Sequence, residues 1–209
     1  MKIKRIQAGI YAANCYIIYT EGVTREAVIV DPGGDYESII KEINKKELRV
    51  KYIVLTHGHG DHIGAVIAVK KHFDVPVMIH KADMEMVKDH ALNLSGNMAM
   101  GAISFEPDIL LKDGESIEFG DEYLKVIHTP GHTKGGICLY SPGLLITGDT
   151  LFEGSIGRTD LYGGDYDTLM RGIKNKLLQL PEDTIIYPGH GGQSTLKKEK
   201  LTNPFLRKM

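Results

Sequence analysis

Three of the nine histidines in this chain fall within positions 57–62, in the run Thr56-His57-Gly58-His59-Gly60-Asp61-His62. The run follows Tyr52-Ile53-Val54-Leu55, an apolar, β-branched segment of strand length. A fold that accepts it must end a strand, turn tightly through two glycines and begin a helix at His62. That geometry aims three imidazoles and a carboxylate at one small volume. Imidazole nitrogen and carboxylate oxygen suit zinc, iron and manganese, so the pattern predicts a metal site at a strand end. Taken singly, Asp61 reads as a helix cap and any one histidine as a hydrogen-bonded loop residue. The four together, flanked by glycines, favour the site.

Three further candidates recur in the same setting. They are His132 in Thr129-Pro130-Gly131-His132-Thr133, Asp149 in Thr147-Gly148-Asp149-Thr150, and His190 in Tyr187-Pro188-Gly189-His190-Gly191. Each follows a predicted strand and stands beside a glycine. A catalytic metal takes a few protein ligands and keeps a position open for water, so seven candidates are enough for two ions.

Ten short strands are expected, at residues 3–7, 15–19, 27–30, 52–55, 77–79, 116–119, 123–128, 137–140, 144–147 and 184–187. Helices are expected over 36–44, 62–72, 82–90, 166–178 and 195–201, the first with an apolar stripe of Ile39, Ile40 and Ile43. Gly-containing turns at 119–121 and 141–143 join adjacent strands, so hairpins mix with helical crossovers and the sheets should be mixed. No repeat, linker or shift in composition divides the chain, which reads as one α/β domain over 1–209. The weakly periodic stretch Asn93–Phe105 reads as a loop whose apolar residues line a substrate pocket or pack on the core.

With 25 basic and 27 acidic side chains, no basic field marks a nucleic-acid partner. The apolar runs are strand-sized, too short to span a membrane, and the start of the chain reads as a first strand rather than a leader, which predicts a cytoplasmic protein. Cys15 and Cys138 lie in separate apolar runs without metal-type spacing and are expected to be buried, reduced thiols. His72, His80 and His90 are expected in ordinary polar roles.

The set His57-x-His59-x-Asp61-His62 with His132, Asp149 and His190 resembles the metallo-β-lactamase fold superfamily over the whole chain. Within it, Gly148-Asp149-Thr150-Leu151-Phe152, the run 154–160, Tyr187-Pro188-Gly189-His190-Gly191 and Asn203-Pro204-Phe205-Leu206 are similar to short bacterial glyoxalase-II-like hydrolases. The resemblance implies a four-layer αββα sandwich of two mixed β-sheets with metals at one edge. It implies that His57, His59 and His132 hold one divalent ion, that Asp61, His62 and His190 hold a second, and that Asp149 bridges them. Zinc is the first choice, with iron or manganese fitting the same ligands. The implied reaction is hydrolysis of a small-molecule acyl thioester such as S-lactoylglutathione by a metal-bridging hydroxide, with Asp61 also orienting that hydroxide or taking its proton.

Glyoxalase II proper has a further helical C-terminal region that grips glutathione, whereas this sequence ends soon after Asn203-Pro204, which leaves glutathione recognition unassigned. Arg158 matches a basic residue that the family presents beyond the bridging aspartate. It would meet a substrate carboxylate or form a loop salt bridge with Asp160 or Asp165. His128 is expected to make a supporting hydrogen bond beside His132 rather than to hold metal. Two other functions stay open at this point: a mononuclear-iron persulfide dioxygenase, which shares a run like Gly157-Arg158-Thr159-Asp160, and a non-catalytic metal-binding scaffold.

Overall fold

The computed structural model describes residues 1–207. One sheet contains β1 (Lys2–Ala8), β2 (Ala13–Tyr19), β3 (Glu26–Val30), β4 (Arg49–Val54), β5 (Val77–His80) and β6 (Ile109–Leu111), in that order. The other contains β7 (Ser116–Phe119), β8 (Glu122–His128), β9 (Ile137–Ser141), β10 (Leu144–Gly148), β13 (Ile185–Pro188) and β14 (Ser194–Thr195), with β11 (Leu151–Phe152) and β12 (Ser155–Ile156) as a separate small hairpin. Both sheets mix parallel and antiparallel pairs, as the alternation of hairpins and helices predicted.

The period-2 alternation of the strands places each residue. On β2, β3 and β4 the residues Tyr16, Ile18, Val28, Val30 and Val54 face the second sheet, where they meet Leu124, Val126, Leu139 and Ile146. Their sequence neighbours Cys15, Ile17, Ala27, Ile29 and Ile53 face outward, onto helices α1 (Tyr36–Lys45) and α3 (Val66–Phe73) through Ile39, Ile43, Val66 and Val69. The outer face of the second sheet offers Cys138, Leu145 and Ile186 to α5 (Tyr166–Asn175) through Leu169, Met170 and Ile173, and to Leu196 at the start of α6 (Leu196–Thr202). Three apolar seams between four layers give the αββα sandwich that the resemblance implied. Both cysteines are buried and free.

All ten expected strands are present. The helix expected over 62–72 is divided into a single turn, α2 (Gly60–Ile63), and α3, because Ala65 donates its amide to the carbonyl of Pro32 at 2.8 Å and so leaves the helical ladder. The helix expected over 82–90 shortens to α4 (Met84–Lys88) behind a 3-10 turn at Lys81–Asp83, and Asp89 is already extended. The strands β6, β11, β12 and β14, each two or three residues long, were not expected. The loop over 93–105 folds back on the core: Asn93 and Ser95 are buried and both donate to the carbonyl of Ile103. No helix among the described residues is long and apolar enough to cross a membrane.

Candidate metal centre

All the candidate side chains stand at carboxyl ends of strands, and the topology brings those ends together. In the first sheet β3 and β4 run parallel, so Asp31 and the 56–62 run leave the same edge. In the second, β8 and β10 are each antiparallel to β9 and therefore run alike, and β13 is parallel to β10. Their ends deliver His132, Asp149 and His190. The two edges are stitched by Ile137 N–H donating to Thr56 O at 2.9 Å, and by Tyr16 OH and Asn14 Nδ2 donating to Pro188 O at 2.7 and 2.9 Å. At Gly189 a Cβ would collide with Asp149 Oδ1 and His62 Cε1, so only glycine lets this loop lie against them.

The seven residues form two clusters. His57, His59 and His132 are buried, their ring centroids 4.7–4.9 Å apart, with His59 Nδ1 facing His132 Nε2 at 2.9 Å. Asp61, His62 and His190 form the second, with His190 Nε2 at 3.1 Å from Asp61 Oδ2 and at 3.3 Å from His62 Nε2. Asp149 lies between them: Oδ1 is 3.4 Å from His62 Nε2, while Oδ2 is 3.6 Å from His132 Nε2 and 3.7 Å from His190 Nε2. Asp61 sits inside the first turn of α2 and does not cap it.

Among the described residues, His57 Nε2, His59 Nε2 and Asp149 Oδ1 are buried without a hydrogen-bond partner. Buried polar atoms are normally paired, and lone pairs converging without protons between them fit a divalent cation. Each cluster offers three donor atoms within 4.8 Å of one another.

The electrostatics of the two clusters differ. Burial and the neighbouring imidazoles push His57 well below the ordinary histidine value and His59 down to about 3. Burial also opposes charge on His62 and His190, yet Asp149 and Asp61 outweigh it and raise both. Asp61 and Asp149 are held below the usual carboxylate range against the cost of burial, with His62 the main favourable partner of each.

Sequence reasoning missed Asp31. Its Oδ2 lies 3.0 Å from His62 Nδ1 and accepts from Thr56 Oγ1 at 2.6 Å, while Oδ1 accepts the Thr56 amide at 2.7 Å. It thereby fixes which nitrogen His62 turns to the centre. A carboxylate in Asp31-Pro32-Gly33 at the end of an apolar strand, the setting shared by the other candidates, was the available signal. His132 Nδ1 is similarly held, by the carbonyl of Arg158 at 2.8 Å. The Arg158 guanidinium itself makes a two-pronged, exposed pair with Asp160 at 2.7 and 2.8 Å, the loop salt bridge that was one of its two expected roles. His128 reaches the Lys134 carbonyl at 2.9 Å and stacks on buried His80, supporting the loop after His132 rather than a member of either cluster.

Two solved structures and a sequence relative illustrate what this chain is similar to. BLEG-1, solved as a B3 metallo-beta-lactamase, is 42% identical with a TM-score of 0.92, over 98% of this chain and 99% of that one. TTHA1623, solved in a di-iron-bound form, is 36% identical with a TM-score of 0.84, over 97% of this chain and all of that one. The hydroxyacylglutathione hydrolase GloC of Haemophilus influenzae is 37% identical over 210 residues, 99% of this chain and 98% of that protein. Residues 8–190 match the model of the metallo-beta-lactamase superfamily, and with these relatives over nearly its full length the chain belongs to that superfamily.

Proposed function

We propose that this chain is a two-metal hydrolase acting on a small acyl thioester of the S-lactoylglutathione kind. One observation carries the reading: the Asp149 carboxylate lies against both clusters, with Oδ1 3.4 Å from His62 Nε2 and Oδ2 between His132 Nε2 at 3.6 Å and His190 Nε2 at 3.7 Å. Divalent ions at such clusters would polarise an acyl carbonyl and lower the pKa of a bound water to about 7. Asp149 fixes the spacing between the clusters. His57, His59 and His132 contribute uncharged nitrogens, so the seven side chains supply only two carboxylates against two dications and leave net positive charge where an oxyanion develops.

Asp61, half-buried and 3.1 Å from His190 Nε2, is the group we assign to orient the attacking water and hold its proton. Asp31 keeps His62 turned inward during this. A carbon–oxygen bond forms as the carbon–sulfur bond breaks, giving a carboxylic acid and a thiol. The thiolate leaves without a strong acid because thiols ionise at about 8.5. The name of GloC supports the thioester, and the di-iron form of TTHA1623 supports two ions rather than the single iron of a persulfide dioxygenase. The name of BLEG-1 makes a β-lactam amide the natural comparison substrate, since it also presents a carbonyl to attack.

The test is thiol release from S-D-lactoylglutathione by anaerobically purified protein loaded separately with zinc, iron or manganese, with a metal-stripped blank and a β-lactam in parallel. Metal-dependent thiol release is the expected result. No release with any metal, together with oxygen uptake on glutathione persulfide, overturns the proposal in favour of the dioxygenase.

A further inference from the structure

Asp83 ends the 3-10 turn Lys81–Asp83 that follows β5, and it is 1% exposed. Its partners are all neutral. Oδ1 accepts the Gly135 amide at 2.5 Å, and Oδ2 accepts the Thr133 hydroxyl at 2.7 Å and the Gly58 amide at 3.2 Å. Gly58 stands between His57 and His59, and Thr133 follows His132. One carboxylate just beyond β5 therefore grips both loops that carry the three-histidine cluster, loops that are more than 70 residues apart, as the 73-residue separation of His59 and His132 shows. The fit is close: a Cβ at Gly135 would lie within 2.7 Å of Asp83 Cβ and Cγ.

A buried carboxylate with only neutral partners is costly, and burial raises the Asp83 pKa accordingly. Only an acceptor-only group satisfies three donors converging from two loops, since an asparagine would turn one N–H against another. The other cluster is held by different means, through Asp31 on His62 and the β13 loop under His190.

We propose that Asp83 is a positioning residue for the His57, His59 and His132 cluster, holding its two loops at the separation that binds the first ion. This rests on the reading that the clusters hold ions. The test is anaerobic titration of the metal-free full chain with Co(II), followed by visible absorption and by metal content, with His59→Ala marking which band belongs to the three-histidine cluster. Asp83→Asn should weaken that cluster by about tenfold or more, the range seen when outer partners of metal ligands are lost, and leave the other within about twofold. Thr133→Val, which removes one of the three contacts, should weaken the same cluster by about threefold.

Unchanged affinity at the three-histidine cluster, or equal weakening of both, overturns the proposal. Should Asp83→Asn fail to fold, Thr133→Val decides alone by the same criterion. A wild-type chain that binds Co(II) only at the three histidines and loses it selectively in the variants overturns the two-metal function while supporting Asp83. A wild-type chain that binds none overturns both.

Discussion

The two clusters lie side by side yet solve opposite problems. His57, His59 and His132 are closed in, and burial holds His57 and His59 against protonation. Of the second cluster, Asp61 and His190 are partly open while His62 is fully buried, and Asp61 and Asp149 raise both histidines. A closed cluster of imidazoles fits an ion that is kept. An open, charged one fits the side on which water and substrate arrive, and Asp61, the group assigned to the proton, belongs to it. Asp149 faces both, and the rings of His57 and His62 also meet across the boundary with centroids 4.2 Å apart, so Asp149 is the charged hinge between them.

Breaking that hinge should have the largest effect. Asp149→Ala is expected to lower thioester hydrolysis by at least about a hundredfold, the scale of losing one group that stabilises developing charge, and to lower metal content with it. Full metal content with normal turnover would refute the bridging role. Removing the ions tests the comparison without a mutation. An ion present at a hundred times its dissociation constant stabilises the fold by about 2.7 kcal/mol. For a domain of this size, chelation should lower Tm by about 5–10 °C. An unmoved Tm would mean that neither cluster binds an ion in the folded chain.

Asp31→Asn sharpens the contrast by touching the open cluster from behind. It should cost about 1–2 kcal/mol in urea unfolding, because an amide cannot accept from Thr56 twice and from His62 as well. It should weaken the cluster of His62 more than that of His57, which Asp31 reaches only through Thr56 Oγ1, 3.1 Å from His57 Nδ1. Equal loss at both would show that Asp31 supports the centre as a whole.

Much of this was legible in the sequence. Central strands were readable because β-branched residues with apolar neighbours on both faces leave few alternatives, as Ala27-Val28-Ile29-Val30 illustrates, with every side chain buried between two layers, while strands such as β7 were readable from their alternation of apolar and polar residues. The seven cluster residues were readable because glycine punctuates each strand end that carries one. The four-layer stacking came from the family resemblance, and composition alone does not encode it. What escaped depends on partners distant in the chain. Asp31 reads as a turn residue before Pro32 until His62 is brought against it, and Asp83 reads as part of a helix until Thr133 and Gly135 arrive from the other sheet. The break between α2 and α3 has the same origin, since the Pro32 carbonyl takes the amide that the helix would have used. Strand β6 is only three residues long, with Leu110 exposed, and its parallel pairing with β5 defines it more than its own pattern does.

The smallest expected effect concerns the rim of the closed cluster. Arg158 contributes through two different atoms: its carbonyl fixes His132, and its guanidinium lies on exposed Asp160. Arg158→Ala keeps the carbonyl, so metal content, Tm and kcat should be unchanged. If the guanidinium leaves Asp160 for a substrate carboxylate, KM for S-D-lactoylglutathione should rise by about tenfold, the value of one charge-assisted hydrogen bond, and Asp160→Ala, which frees the guanidinium, should not raise it. An unchanged KM in Arg158→Ala assigns the guanidinium to the loop alone, and the closed cluster then meets the substrate only through its ion.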